Sequence, residues 1–296
     1  MKVTTPEVSE DMSSAIVCQQ MSPPVKFSLI LATVGRTAEV ENFLANLDNQ
    51  LYRHFEVIVV DQNEDDRLEP ILRSYQASFP ITYARSARGL SCARNIGLRY
   101  VSGNVIAFPD DDCWYDPDTL QKVANLLTEN PDWEGITGAC KTPTGVFHFL
   151  HQESGAINKI NVWRRAVSVS IFLRDAVTKK VGTFDESLGA GAGSGRGAGE
   201  ETDYLLRSME QGCRLHYQHD LLINHPDPSL CGNSKTLAYE RGIGYTLRKH
   251  HYPLWFVLYS CSRTLGGMIW SLLKTDIRRA SYYYAALKGR LSGWLE

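Results

Sequence analysis

The chain has 296 residues, of which 43% are hydrophobic and 22% are charged, a composition typical of globular proteins. Its formal net charge of -2 argues against a nucleic-acid partner, because nucleic-acid-binding proteins usually carry a clear basic excess. The seven cysteines are scattered without a C-x-x-C pair, which predicts reduced thiols in a cytoplasmic protein and argues against a disulfide framework or a zinc site.

Residues 1–24 are mostly polar, with several proline, serine and acidic residues. They lack the basic start and the apolar stretch of a secretory signal. We therefore expect a loose tail, followed by a catalytic part that stays in the cytoplasm.

Apolar runs rich in valine and isoleucine then alternate with stretches of helical periodicity. The pattern predicts strands over 26–32, 55–60, 81–84 and 105–108, and helices over 37–47, 68–75 and 91–100. Thr37 is a candidate N-cap, and Asp116-Pro117 predicts the start of a further helix because proline is favoured at the first helical position. Such alternation predicts a mostly parallel sheet with covered faces, whose ligands bind beyond the carboxyl ends of the strands. Asp61 and the cluster Asp110-Asp111-Asp112 lie at two such ends.

The second half of the chain is less regular, as expected of a half that carries an acceptor site. Gly138-Ala139-Cys140 closes a further predicted strand. The segment Gly189–Gly199 is so rich in glycine that it predicts a mobile loop. It leads into Glu200-Glu201-Thr202-Asp203, which opens a predicted helix that ends at Gln211.

The C-terminal part predicts a helix over 237–250, a strongly apolar segment over 252–273 and an amphipathic segment over 275–291. The apolar segment approaches the roughly 20 residues that span a bilayer. Arg263 lies near its middle, however, and basic residues flank it on both sides. We therefore expect a helix that lies in the membrane interface. A soluble helical appendage or an oligomer interface remains the alternative.

Three adjacent carboxylates at a strand end repel one another and need partners. A hard divalent cation supplies one, since Mg²⁺ and Mn²⁺ take one or two carboxylates together with substrate phosphates. The alternative is a solvated acidic turn that caps the helix at Asp116. The buried strand before the cluster and the second acidic group downstream favour the metal site.

The segment Phe108–Asp112, followed by Asp116–Leu120, resembles the D-x-D segment of the family 2 glycosyltransferases, which have the GT-A fold. Four further segments resemble motifs of this family in the family's order: Ile30–Arg36, Phe55–Asp61, Gly89–Gly97 and Val181–Glu186. The resemblance covers roughly residues 26–225. It implies an α/β fold of the GT-A type, with a mostly parallel central sheet flanked by helices, a Rossmann-like nucleotide half and a helical C-terminal appendage. The expected domains are 25–232, divided into a nucleotide-sugar half (25–115) and an acceptor half (116–232), and 233–296.

The resemblance also implies roles for single residues. It implies that Mn²⁺ or Mg²⁺ is held by Asp110 and Asp112, with His225 as a third ligand, and that Glu201 is the general base, with Glu200 and Asp203 as rivals. The chain departs from the family twice: Gln62 replaces a usual Asp, and Glu200-Glu201 replaces a Glu-Asp pair. Residues that the resemblance assigns to the nucleotide sugar are Ala32, Thr33, Arg36, Asp61, Arg94, Asp110 and Asp111.

The function implied is inverting transfer of a sugar from a nucleoside-diphosphate sugar, with a UDP-sugar favoured, to a glycan or lipid-linked acceptor in surface polysaccharide synthesis. The metal would act as a Lewis acid on the leaving diphosphate while one carboxylate deprotonates the acceptor. A possible peripheral membrane contact would place the protein at the inner face of the cell membrane. Two alternatives stay open: a nucleotidyltransferase that makes a nucleotide sugar, and a catalytically inactive subunit of a polysaccharide-assembly complex.

Overall fold

The computed structural model describes residues 24–146, 153–227 and 232–296. The predicted tail lies outside the described residues except for Pro24. The strands are β1 (Phe27–Thr33), β2 (Phe55–Asp61), β3 (Ile81–Arg85), β4 (Val105–Ala107), β5 (Gly135–Thr142), β6 (Gly145–Val146), β7 (Gly155–Ala156), β8 (Phe172–Arg174) and β9 (Leu215–Asn224). The helices are α1 (Ala38–Asp48), α2 (Glu69–Tyr75), α3 (Leu90–Leu98), α4 (Thr119–Glu129), α5 (Val162–Arg165), α6 (Asp175–Val181), α7 (Glu200–Glu210), α8 (Asn233–Lys249), α9 (Leu254–Leu273) and α10 (Ile277–Leu295), with one 3₁₀ turn at Ser168–Ser170.

The strands form one sheet in the order β3-β2-β1-β4-β8-β5-β9-β7, and β6 pairs with β5. The first four strands are all parallel, and so is the pair β5–β9. Strand β8 is antiparallel to both of its neighbours, β4 and β5. The predicted α/β fold with a mostly parallel sheet and C-terminal helices is confirmed.

The valine- and isoleucine-rich runs are strands because helices cover both faces of the sheet, so that every residue of β2 is buried. Gly97 lets α3 lie directly on β1, since a Cβ atom at this position would come within 2.4 Å of the Ile30 side chain. This contact fixes the helix that carries Arg94. The C-terminal ends of β1, β2 and β4 and the start of α3 therefore lie close together.

The helix after the acidic cluster differs from the prediction. Helix α4 begins at Thr119 with Asp118 as its N-cap residue, so Pro117 precedes the helix and is not its first residue. Asp116 does not cap it either, because its carboxylate accepts a hydrogen bond from the Asn224 side chain at 2.9 Å. Thr37 does occupy the N-cap position of α1, but its side chain makes no capping hydrogen bond.

The glycine-rich segment is folded against its neighbours by main-chain hydrogen bonds. The carbonyl of Ala190 accepts from the Leu90 amide, and the amide of Gly197 donates to the Ala238 carbonyl, both at 2.9 Å. These bonds join the segment to the start of α3 and to α8. Its predicted mobility stays a prediction.

Helices α8, α9 and α10 pack together at the C-terminal end. Glycines let α8 and α10 cross closely, since a Cβ atom at Gly244 or Gly293 would lie 2.1 or 2.0 Å from a carbonyl oxygen of the other helix. Within the described residues, no helix is long and apolar enough to cross a membrane. Helix α9 nevertheless exposes large apolar side chains along one side, among them Leu254, Trp255, Leu258, Leu265, Ile269, Trp270 and Leu273.

Candidate functional site

The acidic turn after β4 is tied to the end of β1. Asp110 forms a parallel bridge with Ala32, and the Thr33 hydroxyl donates a 2.6 Å hydrogen bond to Oδ2 of Asp111. Asp111 is thereby turned towards β1 and is buried. Ala32 and Thr33 therefore position the turn.

Arg36 neutralises part of the acidic cluster. Its Nη1 lies 2.5 Å from Oδ1 of Asp111 and 2.7 Å from Oδ2 of Asp112. The preceding Gly35 has a φ of 73°, a conformation that glycine adopts without strain. This turn brings the guanidinium group back over the carboxylates, where one cation partly relieves the repulsion between two of them.

Asp110, Asp112 and His225 each offer one ligand atom, and these atoms lie within 4.8 Å of one another. His225 Nδ1 lies 2.8 Å from the Pro226 carbonyl oxygen, which only accepts hydrogen bonds. This contact suits a ring proton on Nδ1, and Nε2 lies 3.6 Å from Oδ1 of Asp112. Two carboxylates and such an imidazole suit a divalent cation.

The electrostatics of Asp110 fit a cation as well. The pKa of Asp110 is raised to about 6, because loss of solvation together with the charge of Asp112 outweighs the opposing charge of Arg94. A carboxylate in this position gains from any nearby positive charge. A cavity of about 360 Å³ opens beside Asp111 and Asp112 and provides room for a ligand.

Arg94 is almost fully buried and connects the acidic turn to α7. Its guanidinium lies 3.5 Å from Oδ1 of Asp110 and 3.4 Å from Oε1 of Glu200, and donates to the Ser168 hydroxyl at 2.5 Å. The Phe184 ring lies 5.5 Å away. A buried arginine between two acids supplies fixed positive charge at the centre of the site.

The neighbouring Asn95 joins two motifs that are distant in the sequence. Its side-chain oxygen accepts from the Phe184 amide at 2.7 Å, and its side-chain nitrogen donates to the Phe184 carbonyl at 3.1 Å. This two-sided contact fixes the turn that contains Phe184. Arg94 and Asn95 thus have different tasks in the same motif.

Glu200 and Glu201 begin α7. Glu200 is buried, and burial together with the charge of Glu201 raises its pKa well above the usual value, with Arg94 opposing. Among the described residues, its Oε2 has no hydrogen-bond donor. If Glu200 carries a proton, its carboxyl group can donate the missing hydrogen bond to the Glu201 carboxylate. Glu201 is partly exposed and borders the same small space as Arg94 and Ser168.

Asp203 has a different environment from the other two acids. It is fully buried, and Lys249 Nζ, His250 Nε2 and Arg207 Nε surround it at 2.7, 2.8 and 2.9 Å. Burial alone would raise its pKa, but the hydrogen bonds from His250 and Lys249 and the charge of Arg207 hold it at about 2. This carboxylate anchors α7 to the end of α8, so its geometry speaks against the role of a base.

Asp61 is also fully buried. Its oxygens accept from the Asn63 side chain at 2.7 Å and the Tyr83 hydroxyl at 2.9 Å. Direct contact with a nucleobase would require one of these groups to move. The unexpected Gln62 joins three elements, because it accepts from the Gly89 amide at 2.8 Å and donates to the Thr33 carbonyl at 3.4 Å. An aspartate could not make both bonds.

The structure therefore brings most of the predicted residues to one edge of the sheet and places Asp61 and Asp203 in enclosed positions. The residues missed by the sequence interpretation are Asn63, Tyr83, Ser168, Lys249 and His250. No motif in the sequence marks Ser168, and Lys249 and His250 lie more than forty residues from Asp203, at the end of another helix.

Residues 28–163 match the family model described as glycosyl transferase family 2. The glycosyltransferase AglE of Haloferax volcanii is 26% identical over 212 residues, which is 67% of this chain and 66% of that protein. Another curated glycosyltransferase matches over only 35% of its own length. The chain thus spans less than two thirds of the length of these relatives.

Many solved structures share the fold, including two that contain a nucleotide sugar. The mannosyltransferase PcManGT of Pyrobaculum calidifontis, in complex with GDP-Man and Mn²⁺, has a TM-score of 0.66 at 15% identity, covering 91% of this chain and 87% of that one. S. aureus TarS 1-349, in complex with UDP-GlcNAc, has a TM-score of 0.60 at 16% identity, covering 89% and 90%. At such identities the likeness concerns the fold, and it confirms the predicted GT-A type.

Proposed function

We propose that this chain, which belongs to glycosyl transferase family 2, is an inverting, metal-dependent glycosyltransferase that uses a nucleoside-diphosphate sugar. The observation that carries the proposal is the convergence of Asp110, Asp112 and His225 at the carboxyl edge of the sheet. These residues would hold Mn²⁺ or Mg²⁺. When bound, the ion would supply positive charge against the leaving diphosphate.

The protein's own residues supply the remaining chemistry. In the transfer, an acceptor hydroxyl oxygen bonds to the anomeric carbon, and the bond from that carbon to the diphosphate breaks. Arg94, held rigidly by Ser168 and the Phe184 ring, keeps a positive charge near the departing group. Fixed charge in a water-poor site stabilises a transition state without reorganisation.

The acceptor proton goes to Glu201. Its carboxyl is partly exposed, whereas Glu200 is buried with a raised pKa. A protonated Glu200 would donate to Glu201 and hold its carboxylate in place. One base with no covalent intermediate gives inversion at the anomeric carbon.

We favour a UDP-sugar as the donor. The resemblance assigns the base contact to Asp61, a hydrogen-bond acceptor that suits the ring N–H of uracil. Movement of Asn63 or Tyr83 would expose this carboxylate. Thr33 and Arg36 border the same edge, and Arg36 could turn from the acidic cluster to the diphosphate once a cation balances the carboxylates.

We infer that the acceptor is a glycan or a lipid-linked glycan in surface polysaccharide synthesis, reached at the inner face of the cell membrane. The exposed apolar side of α9 supports this inference, since an interfacial helix buries such a surface in lipid. Lys274, Arg278 and Arg279 follow it and suit anionic headgroups.

Hydrolysis of UDP-sugars and GDP-sugars, with and without Mn²⁺ and without any acceptor, tests this function. We expect slow release of the nucleoside diphosphate that requires the metal. Formation of a nucleotide sugar from a sugar phosphate and a nucleoside triphosphate would instead indicate a nucleotidyltransferase. Donor binding without any turnover, even with acceptors, would indicate an inactive subunit.

A further inference from the structure

A second cavity, of about 540 Å³, lies between α5 and the three C-terminal helices. None of the residues discussed above as metal ligands, base or donor contacts lines it. Its volume falls within the roughly 300–1,000 Å³ of typical small-molecule sites. It is therefore large enough to hold a ligand of its own.

The walls of this cavity combine apolar and positively charged groups. Its lining contains arginines and no aspartate or glutamate. Such a lining suits an anion that carries a hydrocarbon group, because hydrocarbon gains from aromatic and aliphatic contact while the arginines attract the charge. The apolar walls are formed chiefly by Trp163, Ile243, Leu247, Phe256, Tyr259 and Tyr283.

The arginines differ in how they are held. Arg290 donates from Nε to Glu240 at 2.8 Å and from Nη1 to the Ser260 hydroxyl at 2.6 Å, so it is a fixed part of the wall. Arg263 is exposed and has no ion-pair partner anywhere in residues 24–146, 153–227 and 232–296. Its guanidinium is therefore available to bind a phosphate with two parallel hydrogen bonds.

The cavity adjoins the exposed apolar side of α9. Tyr259 belongs to both, because it lines the cavity while 51% of its surface is exposed. Leu258 and Trp255 lie beside it on the outer side of the helix. A chain too long for the cavity could continue along this surface.

The cavity is also close to the proposed catalytic residues. Trp163 and Arg164 of its wall belong to α5, and Ser168, four residues later in the chain, contacts Arg94. On another side, α8 contacts the start of α7, since a Cβ atom at Gly199 would lie 2.6 Å from the Thr246 hydroxyl. Helices α5 and α8, which form part of the cavity wall, thus lead to the elements that carry Arg94 and Glu201.

We propose that this cavity binds the phosphate group and the first part of the hydrocarbon chain of a lipid phosphate. The phosphate pairs with Arg263, and the hydrocarbon lies against Trp163, Phe256 and Tyr259. This inference rests on the proposed function, whose acceptor it assigns to the lipid-linked class. It explains why an arginine lies within an otherwise apolar helix.

Calorimetric titration of the full chain with decyl phosphate, decanol and inorganic phosphate tests the proposal. We expect decyl phosphate to bind more tightly than either separate part. Arg263→Gln should weaken this binding at least about tenfold, the size of a charged hydrogen bond, and Tyr259→Ser should weaken it without affecting inorganic phosphate. Arg99→Gln, an equal loss of charge at an exposed position just after α3, should bind decyl phosphate like the wild type.

Equal affinity for decyl phosphate and inorganic phosphate would indicate adventitious anion binding and overturn the proposal. Equal losses of affinity in Arg263→Gln and Arg99→Gln would overturn it as well. Titration with farnesyl phosphate and with dihexanoyl phosphatidylglycerol then distinguishes the two possible sources of the lipid phosphate. Preference for the former indicates a lipid-linked acceptor, and equal binding indicates membrane phospholipid. If the wild type hydrolyses donor but does not bind decyl phosphate, only this inference fails; if it binds decyl phosphate but never hydrolyses donor, only the proposed function fails.

Discussion

The guanidinium of Arg94 lies 3.4 Å from the carboxyl group of Glu200, although 106 positions separate the two residues in the sequence. Both side chains are buried. The contact connects the helix that borders the acidic turn to the helix that begins with the candidate bases. A change at either residue should therefore affect turnover more than donor affinity.

Arg94→Gln should lower kcat by roughly 10²–10³-fold, the usual effect of removing one preorganised donor of positive charge. The Gln side chain keeps polar contact with Ser168 but not the charge. Arg99→Gln, at an exposed position just after the same helix, is the matched control and should retain wild-type turnover. A similar loss in both variants would contradict a specific role for Arg94.

Glu201→Gln should lower kcat by roughly 10²–10⁴-fold, as expected for a general base, while the affinity for the nucleotide sugar changes little. Glu200→Gln should be much milder. Burial and the charge of Glu201 raise the pKa of Glu200 well above its usual value and so favour its protonated form, which an amide resembles. Steady-state kinetics of the two variants distinguish the two candidate bases. A greater loss of kcat in Glu200→Gln would identify Glu200 as the base.

Asp203→Asn should lower the free energy of unfolding by about 2 kcal/mol at pH 7, because the folded pKa of Asp203 is about 2 and the unfolded value is near 3.9. A depressed pKa gives stability that is complete above the unfolded pKa and is lost as the pH falls towards 2. The difference between variant and wild type in urea unfolding should therefore shrink below pH 4.

The matched control is Glu210→Gln, which removes the exposed carboxylate on the other side of His250. It should cost less than about 1 kcal/mol, as surface ion pairs do. A loss of turnover in folded Asp203→Asn as great as in Glu201→Gln would return Asp203 to the list of candidate bases.

The exposed apolar side of α9 predicts peripheral membrane binding. The protein should sediment with vesicles that contain anionic lipid and be released by high salt or alkaline carbonate. Replacing Leu258 and Ile269, both about half exposed, by serine should abolish sedimentation without unfolding the protein. Unchanged sedimentation of this double variant would leave α9 with a packing role only.

Much of the fold could be predicted from the sequence because the strands are buried on both faces. Val57–Val60 is a continuous apolar run, as expected of a parallel strand covered on both faces, and the predicted strand ends at the observed residue or next to it. The start of α4 was missed because Asp116 and Pro117 look like a helix start, yet Asp116 binds the Asn224 side chain. A local pattern does not reveal a contact with a strand more than a hundred residues away.

The candidate site, like the fold, could be predicted from the sequence only in part. Adjacent carboxylates at a strand end are visible in any sequence, whereas the reach of Arg36 to Asp111 and Asp112 depends on how a turn folds back. The enclosure of Asp203 depends on Lys249 and His250, which lie at the end of a different helix. The position of Asp203 in a motif suggests a catalytic role. Only its packing distinguishes a carboxylate that holds two helices together from a general base.

The central claim is that Asp110, Asp112 and His225 hold a divalent cation, and electron paramagnetic resonance of Mn²⁺ tests it most directly. In the presence of UDP, the wild type should bind one Mn²⁺ per chain. Asp112→Asn should weaken this binding at least about tenfold, since even outer-shell changes cost 10–100-fold. Asp118→Asn, the loss of a nearby surface carboxylate paired with Lys122, should bind like the wild type. Mn²⁺ binding by Asp112→Asn with wild-type affinity would contradict the account.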